Sequence, residues 1–422
     1  MNYKIGISDQ LIKFLIILMP IFLVTGPFIP DLIITISSVI FIIYCFKKAN
    51  FFQKNINNFF YFFILFYFLI VLSSLNSEFF LQTYKSSIFY FRFFIFAFFL
   101  SFLIDKHPEI KKYTFNVLIF CFGLIIIDGF LEFFTGRNLS NTNTSFPGRL
   151  RSFFDELIMG SYLTRLFPLF LGLFFLFKDR INIKTKILSI ALFILTFIIV
   201  FLSGERTAFY LLAIFLIYLI FFLKYNIRLK LFLIFLSIIS ILSIYLFFPK
   251  DLNQKNIMNR MVISAFENFN FKNLNNSENI FIFSEQHTIL YKTSLKIFSD
   301  NKIIGAGPKS FRYACAKDKY YLGNYSCSTH SHNLIFQLLS ETGLLGFSFL
   351  VFIFTFCIIY LIYFSVVKNK LSNFQIILFG SIFINLFPFS PSGSIFNNYM
   401  SIIIYYPIGY LFWSFRKSKK LI

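Results

Sequence analysis

Apolar runs about as long as a lipid bilayer is thick recur along almost the whole chain. A helix needs about 20 mostly apolar residues to cross a bilayer, and within lipid the backbone must satisfy its own hydrogen bonds. Such runs lie near residues 11–28, 31–46, 57–74, 85–104, 113–134, 157–177, 187–203, 207–223, 229–248, 344–364, 374–388 and 397–415. The pattern predicts an all-α, polytopic membrane protein with about twelve transmembrane helices. We expect the first run to be a retained signal anchor, because it lacks an A-x-A-like cleavage site.

The composition excludes the common alternatives to a membrane protein. Hydrophobic residues make up 58% of the 422 residues and charged residues 14%, whereas an ordinary soluble domain is about 45–50% apolar and about 25% charged. A single core could not bury that much apolar surface in water. The 17 glycines, 11 prolines and 5 cysteines are too few for a collagen-like, disordered or disulfide-scaffold chain.

Lysine and arginine mark one side of the predicted bundle. Basic residues concentrate in alternate short loops and at both ends of the chain, as at Lys47, Lys111, Arg180, Arg228 and Lys368. The positive-inside rule assigns these loops to the cytoplasm, so both termini are predicted to be cytoplasmic. The rule accounts for most of the net charge of +21, and no nucleic-acid partner is needed to explain it.

One polar segment is far longer than the others. The chain therefore divides into residues 1–248 with nine transmembrane helices, an outer loop domain at 249–332, and residues 333–422, which re-enter the membrane and add three more helices. Loops of such length are usually functional or disordered. This one has a helical pattern of apolar residues between 289 and 298, so it is expected to contain short helices.

Two of the five cysteines lie in the outer loop. Cys315 and Cys327 are separated by a short segment on the side of the membrane where thiols are oxidised, so they are predicted to form a disulfide. The other three lie in apolar runs, where cysteine acts as a small apolar side chain.

The most reactive segment is Cys327-Ser-Thr-His330-Ser-His332-Asn333, where the outer loop returns to the membrane. A histidine at such a surface titrates near neutrality and can take a proton from a hydroxyl. The two histidines could instead be hydrogen-bonded interfacial residues. A zinc site with Cys327, His330 and His332 is a third interpretation, but the spacing is not a strong zinc pattern and a disulfide would consume the cysteine. No metal is predicted.

Charged residues inside the apolar runs are costly there and therefore suggest a purpose. Arg92 lies in the middle of one run, and Asp128 and Glu132 lie one turn apart in the next. We expect Arg92 and Asp128 to pair between neighbouring helices. Arg165, near the start of its run, is expected to face the same cavity as Arg206.

His332-Asn333, nine residues and then Gly343-Leu-Leu-Gly346 form a pattern that resembles the signature of the O-antigen ligase and O-antigen polymerase superfamily. These are bacterial membrane glycosyltransferases that act on undecaprenyl-pyrophosphate-linked sugars. Three further segments are similar to family motifs: Gly305-Ala-Gly307-Pro308, Ser203-Gly-Glu-Arg206-Thr-Ala, and Arg149-Leu-Arg151-Ser-Phe-Phe-Asp-Glu followed by Gly160-Ser-Tyr162. Together the matches cover roughly residues 145–365.

The resemblance implies an inverting enzyme of the bacterial inner membrane that needs neither cofactor nor metal. It would move an oligosaccharide from undecaprenyl pyrophosphate to an acceptor hydroxyl on the periplasmic face. By this resemblance His332 is the general base and Arg206 binds the pyrophosphate. A histidine suits the first task, and a guanidinium fork suits the second. Gly343 and Gly346, three residues apart, would let backbones approach closely.

The family also places an arginine in the helix of the outer loop, and here the matching position is His287. Either His287 acts as the cation, or Arg312, Arg260 or the pair Arg149 and Arg151 supplies it. Among the arginines we favour Arg312, because it follows the turn at residues 305–308 and comes just before the segment bounded by the two cysteines. His330 and Asn333 are expected to position the base or the substrate. The favoured activity is ligation to lipid A-core. Polymerisation of repeat units and transfer to protein share the motif, and a lipid-linked sugar transporter is a more distant alternative that would predict repeat symmetry.

Overall fold

In the computed structural model, the described residues are 7–47, 58–140, 148–228, 256–263 except 258, and 284–419, with a few isolated positions between 230 and 242. These residues form helices and connecting turns. An isolated β-bridge joins Asn333 and Pro391, and none of the described residues lies in an extended strand. The predicted all-α class is therefore confirmed.

The described helices follow one another in a single series. They are α1 (Ile7–Ile17), α2 (Met19–Val24), α3 (Phe28–Lys47), α4 (Asn58–Leu75), α5 (Phe80–Ile88), α6 (Phe91–Lys106), α7 (Ile110–Thr135), α8 (Met159–Phe177), α9 (Ile183–Leu202), α10 (Arg206–Phe222), α11 (Glu285–Asp300), α12 (Phe311–Ala314), α13 (Leu334–Ile362), α14 (Asn373–Asn385) and α15 (Asn398–Lys419). Two π-helical turns occur at Asn259–Ile263 and Tyr363–Val367.

Within the described ranges, six helical stretches are long and apolar enough to cross a membrane: Phe28–Lys47, Phe80–Lys106, Ile110–Thr135, Met159–Phe177, Ile183–Leu202 and Leu334–Val367. Three shorter apolar helices accompany them at Phe59–Leu75, Arg206–Phe222 and Asn373–Asn385. The chain is thus a polytopic membrane protein. The count of twelve stays a prediction, and the run at 229–248 lies mostly outside the described residues.

Two predicted runs differ in detail from the observed helices. The first run is divided into α1 and α2 at Leu18, just before Pro20. The tenth predicted run, 344–364, belongs to α13, which begins at Leu334, ten residues earlier than the run. The backbone of α13 is non-helical at Gly343. A Cβ atom on Gly343 would overlap the carbonyl of Ile303, so only glycine lets the glycine turn at residues 305–307 pack this closely.

The expected pairing of Arg92 with Asp128 is wrong. Arg92, at the start of α6, donates to Asp31 of α3 from both Nε (3.0 Å) and Nη2 (2.7 Å). Asp128 instead accepts hydrogen bonds from the backbone of Leu139 (2.6 Å) and the hydroxyl of Ser152 (2.7 Å). Its carboxylate is therefore occupied in holding the loop after α7.

The helices that matter for the site share one end of the bundle, here called the site end, where α5, α10, α13 and α15 begin. The segment 386–396, which joins α14 to α15, lies across this end. It is held there because Gln337 of α13 accepts from the backbone of Ile395 (3.4 Å) and donates to Ser394 (2.5 Å).

Candidate functional site

The turn before α13 presents His332. This residue has a left-handed backbone with a φ of 56°, which is uncommon for a side chain other than glycine. The next residue, Asn333, is extended and caps α13, because its Oδ1 accepts from the backbone of Ile335 (2.9 Å) and Phe336 (3.4 Å). The sharp change of backbone direction at His332 keeps its ring outside the helix.

Segment 386–396 clamps this turn from the other side. The Asn333 amide donates to the carbonyls of Pro388 (3.1 Å) and Ser390 (3.3 Å). The backbone N–H of Ser392 donates to the His332 carbonyl at 2.8 Å. Asn333 is 3% exposed, so its side chain is committed to positioning this turn and is not available to bind a substrate.

Three histidines meet at this turn and form what we call the histidine cluster: His287, His330 and His332. The ring centroids of His330 and His332 are 4.0 Å apart, and those of His287 and His332 are 5.9 Å apart. His287 comes from α11, where Ser284 caps the helix, and it is 45 residues upstream of His332. The tertiary structure therefore brings three residues named from the sequence into one place: His330 and His332 from the turn, and His287 from a distant helix.

Hydrogen bonds assign different roles to the two motif histidines. Nε2 of His330 lies 3.1 Å from the carbonyl of Ser392, which can only accept, so this nitrogen carries the hydrogen. Nδ1 of His330 is then the acceptor for the Thr329 hydroxyl at 2.9 Å. Both nitrogens of His330 are occupied, whereas the contact of His332 is between its Nε2 and the Ser328 hydroxyl at 3.0 Å. His332 is the better candidate for proton transfer.

Burial keeps the histidine cluster neutral. Desolvation, with a smaller contribution from His287, lowers the pKa of His332 to about 4. Desolvation and then the charge on His332 lower the pKa of His330 to about 3. Burial also lowers the pKa of His287. His287 is therefore neutral at pH 7, and the expectation that it supplies a cation is not favoured by its surroundings.

Arg312 borders the histidine cluster. It lies on α12 with its side chain exposed to solvent, and its charge contributes to lowering the pKa of His330. A disulfide between Cys315 and Cys327, whose Cα atoms are 5.2 Å apart, ties the end of α12 to the residues just before the histidines. This link holds Arg312 on the same side of the loop as the histidine cluster.

Gln337 and Glu341 of α13 are buried polar residues that connect the parts of the site, and the sequence analysis missed both. Glu341 is fully buried and accepts from Gln337 Nε2 (2.9 Å) and from the backbone of Phe311 (3.3 Å). Its backbone carbonyl accepts from Gly307 of the glycine turn at 2.9 Å. Asn333, Gln337 and Glu341 follow one another at four-residue spacing, so a polar stripe on one face of α13 was a usable signal.

A second group of charges lies around the turn before α10 and is called here the arginine cluster: Arg149, Arg206 and Arg260. Arg206 Nε donates to the Arg260 carbonyl at 2.7 Å, and Arg260 Nε donates to Gly204 at 2.9 Å. Arg149 Nη2 donates to the Leu157 carbonyl at 2.6 Å, while its buried Nε has no hydrogen-bond partner in the described part of the chain.

The carboxylate beside these arginines is already occupied. Glu205 accepts from the backbone of Gly160 (2.6 Å), from that of Ser161 (3.1 Å) and from the Ser161 hydroxyl (2.9 Å). Burial, reinforced by the charges of Arg149 and Arg206, lowers the pKa of Arg260. Among the residues that the structure describes around this turn, cations outnumber carboxylates, and such positive charge suits a phosphate or pyrophosphate.

Two other predicted arginines are engaged by different groups. Arg151 donates to the carbonyls of Phe154 (2.8 Å) and Asp155, so its guanidinium holds its own loop. Arg165 is buried and donates to Asn385 of α14 at 2.8 Å. Arg165 also interacts electrostatically with Glu205, the carboxylate beside the arginine cluster.

Segment 386–396 lies between the two clusters. Tyr210, one turn into α10 from Arg206, packs against Phe387 with ring centroids 6.0 Å apart. Pro388, the next residue, accepts from Asn333. No hydrogen bond joins Arg206 to His332 in the ranges that the structure describes. The two clusters therefore flank one segment, and a substrate that contacts both must extend across it.

The described residues contain no group of three or more His, Cys, Asp or Glu side chains arranged to hold a metal ion. Cys327, one of the three residues of the zinc interpretation, is consumed by the disulfide.

Comparison with known families supplies the remaining finding. The family model described as O-antigen ligase matches residues 191–351. That range contains Arg206, Arg260, the whole histidine cluster, the glycine turn and the polar stripe of α13. No curated protein matches the chain.

Proposed function

Residues 191–351 are O-antigen ligase-like, and from this premise we propose that the protein moves an oligosaccharide from undecaprenyl pyrophosphate to an acceptor hydroxyl. The observation that carries the proposal is the placement of His332 at the site end. One of its ring nitrogens contacts Ser328, and it is fixed at a turn beside a second histidine whose nitrogens are both occupied. Such an imidazole can accept a proton at pH 7.

The reaction has two charge demands that the two clusters can meet. The acceptor oxygen attacks the anomeric carbon, its proton passes to His332, and the bond from that carbon to the pyrophosphate oxygen breaks. The pyrophosphate leaves with the electron pair and with added negative charge. Guanidinium groups of the arginine cluster stabilise this charge, because they stay charged and bind phosphate oxygens bidentately.

The other predicted residues receive supporting roles. His330 and Asn333 position the base through the contacts of their ring nitrogens and amide. Arg312 is the better candidate for the family's second arginine, because His287 is neutral and Arg312 is a cation beside the histidine cluster. Gly305 and Gly343 allow the loop and α13 to pack backbone against backbone, whereas Gly307 lies against the side chains of Ser77 and Thr83, and Gly346 lies against that of Thr342.

We further propose that the protein lies in the bacterial inner membrane with both termini in the cytoplasm and the site end facing the periplasm. The three regions 1–248, 249–332 and 333–422 then correspond to a membrane bundle, a periplasmic loop and a re-entry segment with the last helices. Lipid A-core is the favoured acceptor. The grouping of polar residues at one end supports an enzyme over a transporter, whose site would lie near the membrane midplane.

The test is in-vitro transfer from a lipid-pyrophosphate glycan to lipid A-core and to other defined acceptors. We expect His332→Ala to lower the rate about 10²–10⁴-fold, as loss of a general base does. We expect Arg206→Ala to lower it about 10²–10³-fold, as loss of one charge-stabilising contact does.

Matched controls separate chemistry from folding. His107→Ala alters the histidine at the end of α6 opposite the site end, and Arg137→Ala alters an exposed arginine outside both clusters. Both variants should transfer at the wild-type rate. Retention of activity in His332→Ala and Arg206→Ala would refute the assignment.

A further inference from the structure

A cavity of about 200 Å³ lies at the site end, apart from both clusters. Three cations line it: Lys85 of α5, Arg92 of α6 and Lys309, which follows the glycine turn. Its remaining walls include the aromatic rings of Phe89 and Phe396. The cavity therefore combines positive charge with apolar surface, at the level where α5 and α6 meet.

The positive charge of this cavity is only partly neutralised. Arg92 is paired with Asp31, whose second oxygen accepts from Asn398 at 3.0 Å. Lys85 and Lys309 have no ion pair or side-chain hydrogen bond in the parts of the chain that the structure describes. Lys309 also lies within electrostatic range of the buried Glu341, whose carboxylate already accepts from Phe311 and Gln337. Among the described residues, the three cations thus outnumber the two carboxylates near them, which leaves positive charge for an anion.

The backbone holds Lys309 in position. This lysine has a left-handed φ of 62°, which for a residue with a side chain occurs mainly where the surrounding structure enforces it. The enforcing contacts are the bonds from Gly307 to the Glu341 carbonyl and from Phe311 to the Glu341 carboxylate. Burial and the nearby charges of Arg312 and Arg92 lower the pKa of Lys309, and the carboxylates of Glu341 and Asp31 oppose this lowering only in part. An added anion would oppose it further.

We propose that this cavity binds the phosphate ester of a membrane lipid, with the phosphate between Lys85 and Lys309 and the lipid's apolar part along the aromatic walls. The cavity has room for several water molecules and therefore for a phosphate group. Phe89 is 56% exposed on the surface of the bundle, so an acyl chain could leave the cavity toward the bilayer. This proposal does not depend on glycosyl transfer.

The cavity is also connected to the buried polar residues at the start of α13. Lys309 belongs to the loop that bonds to Glu341, and Phe396 follows the residue that bonds to Gln337. A lipid phosphate in the cavity would therefore contact the same buried network that holds the start of α13. Occupancy should stabilise the site end.

The experiment measures binding to the full-length protein in a neutral detergent, by thermal-shift titration and native mass spectrometry. Three probes with matched chemistry are compared: short-chain phosphatidic acid, the corresponding diacylglycerol, and inorganic phosphate. We expect phosphatidic acid to bind at least tenfold more tightly than the other two and inorganic phosphate to compete with it. Equal binding of diacylglycerol would overturn the phosphate assignment, and equal binding of inorganic phosphate would overturn the lipid assignment.

Variants then locate the ligand. Lys85→Gln and Lys309→Gln should each weaken phosphatidic acid binding at least fivefold, and Lys309→Arg should retain it. Lys292→Gln and Lys296→Gln change exposed lysines of α11 and serve as matched controls. If Lys309→Gln proves unstable, Lys85→Gln still decides the outcome, because Lys85 is exposed and its replacement is not expected to affect folding. Unchanged binding in Lys85→Gln would refute the proposal. The readout is binding alone, so a failed transfer assay would not affect it.

Discussion

Replacing Asn333 with alanine removes two kinds of contact at once. The Oδ1 atom caps α13 by accepting from Ile335 and Phe336. The amide nitrogen donates to the carbonyls of Pro388 and Ser390 in segment 386–396. The same side chain therefore starts the helix and fixes the turn that carries His332. We expect Asn333→Ala to lower both the stability of the protein and its transfer activity.

The magnitude follows from these four contacts. Loss of a helix cap typically costs about 1 kcal/mol. Two buried carbonyl oxygens left without a donor cost about 1–3 kcal/mol each, although some of this loss is recovered if water enters. A total of roughly 2–5 kcal/mol of unfolding free energy is therefore expected. The activity loss should exceed what the remaining folded fraction explains, because the His332 backbone bond to Ser392 is no longer supported.

Two companion variants separate the contributions. Asn333→Asp keeps the capping oxygen but places a second acceptor against two carbonyls, so it should retain α13 and still lose transfer activity. Ser372→Ala removes the capping box of α14, far from the histidines, and should cost only about 1 kcal/mol with full activity. Stability is measured by thermal or denaturant unfolding in detergent, and transfer by product formation. If Asn333→Ala resembled Ser372→Ala in both measurements, the positioning role would be refuted.

Three further outcomes are expected. The acidic limb of the pH profile for kcat/KM should lie near pH 4, the pKa of His332 in the free protein. The acidic limb for kcat should lie at a higher pH, because bound pyrophosphate favours the imidazolium. Coincident limbs would contradict this reasoning. The folded-state pKa of His330 lies below its unfolded value of 6.5, so the stability that the neutral ring contributes is present above pH 6.5 and is lost as the pH falls toward about 3. The free energy of unfolding changes by at most about 1.4 kcal/mol per pH unit for this one group. Unfolding of His330→Gln should therefore depend less on pH. Reducing the Cys315–Cys327 disulfide should cost about 3 kcal/mol for a loop of this length and lower the melting temperature; an identical melting temperature for Cys315→Ser would contradict that.

Much of the architecture was predictable because lipid limits what a backbone can do. Runs of apolar residues near 113–134 and 187–203 correspond to α7 and α9, since a helix is the solution that satisfies every backbone group of a single segment in hydrocarbon. The boundaries were less predictable. α13 begins at Leu334 because Asn333 caps it and because its polar residues face a protein interior, which hydropathy alone does not register.

The candidate site was predictable only where its residues are neighbours in sequence. The pair His332-Asn333 and the glycines at 343 and 346 lie in one short stretch, so their spacing already indicated a site. The stripe of Asn333, Gln337 and Glu341 lay in the same stretch and could have been found from its helical period. The role of Arg149 as a neighbour of Arg206 and Arg260 could not be found in this way, because more than 50 residues separate adjacent members in the chain.

The amino-acid sequence by itself determined the helical class, the membrane setting and the chemical types available for a site, because each depends on local hydropathy and residue identity. Only the folded arrangement established that Arg92 pairs with Asp31, that His287 adjoins His332, and that burial lowers the pKa of His332. Ion pairing and pKa depend on distance and on the exclusion of water. Both are properties of packing between helices that are far apart in the chain.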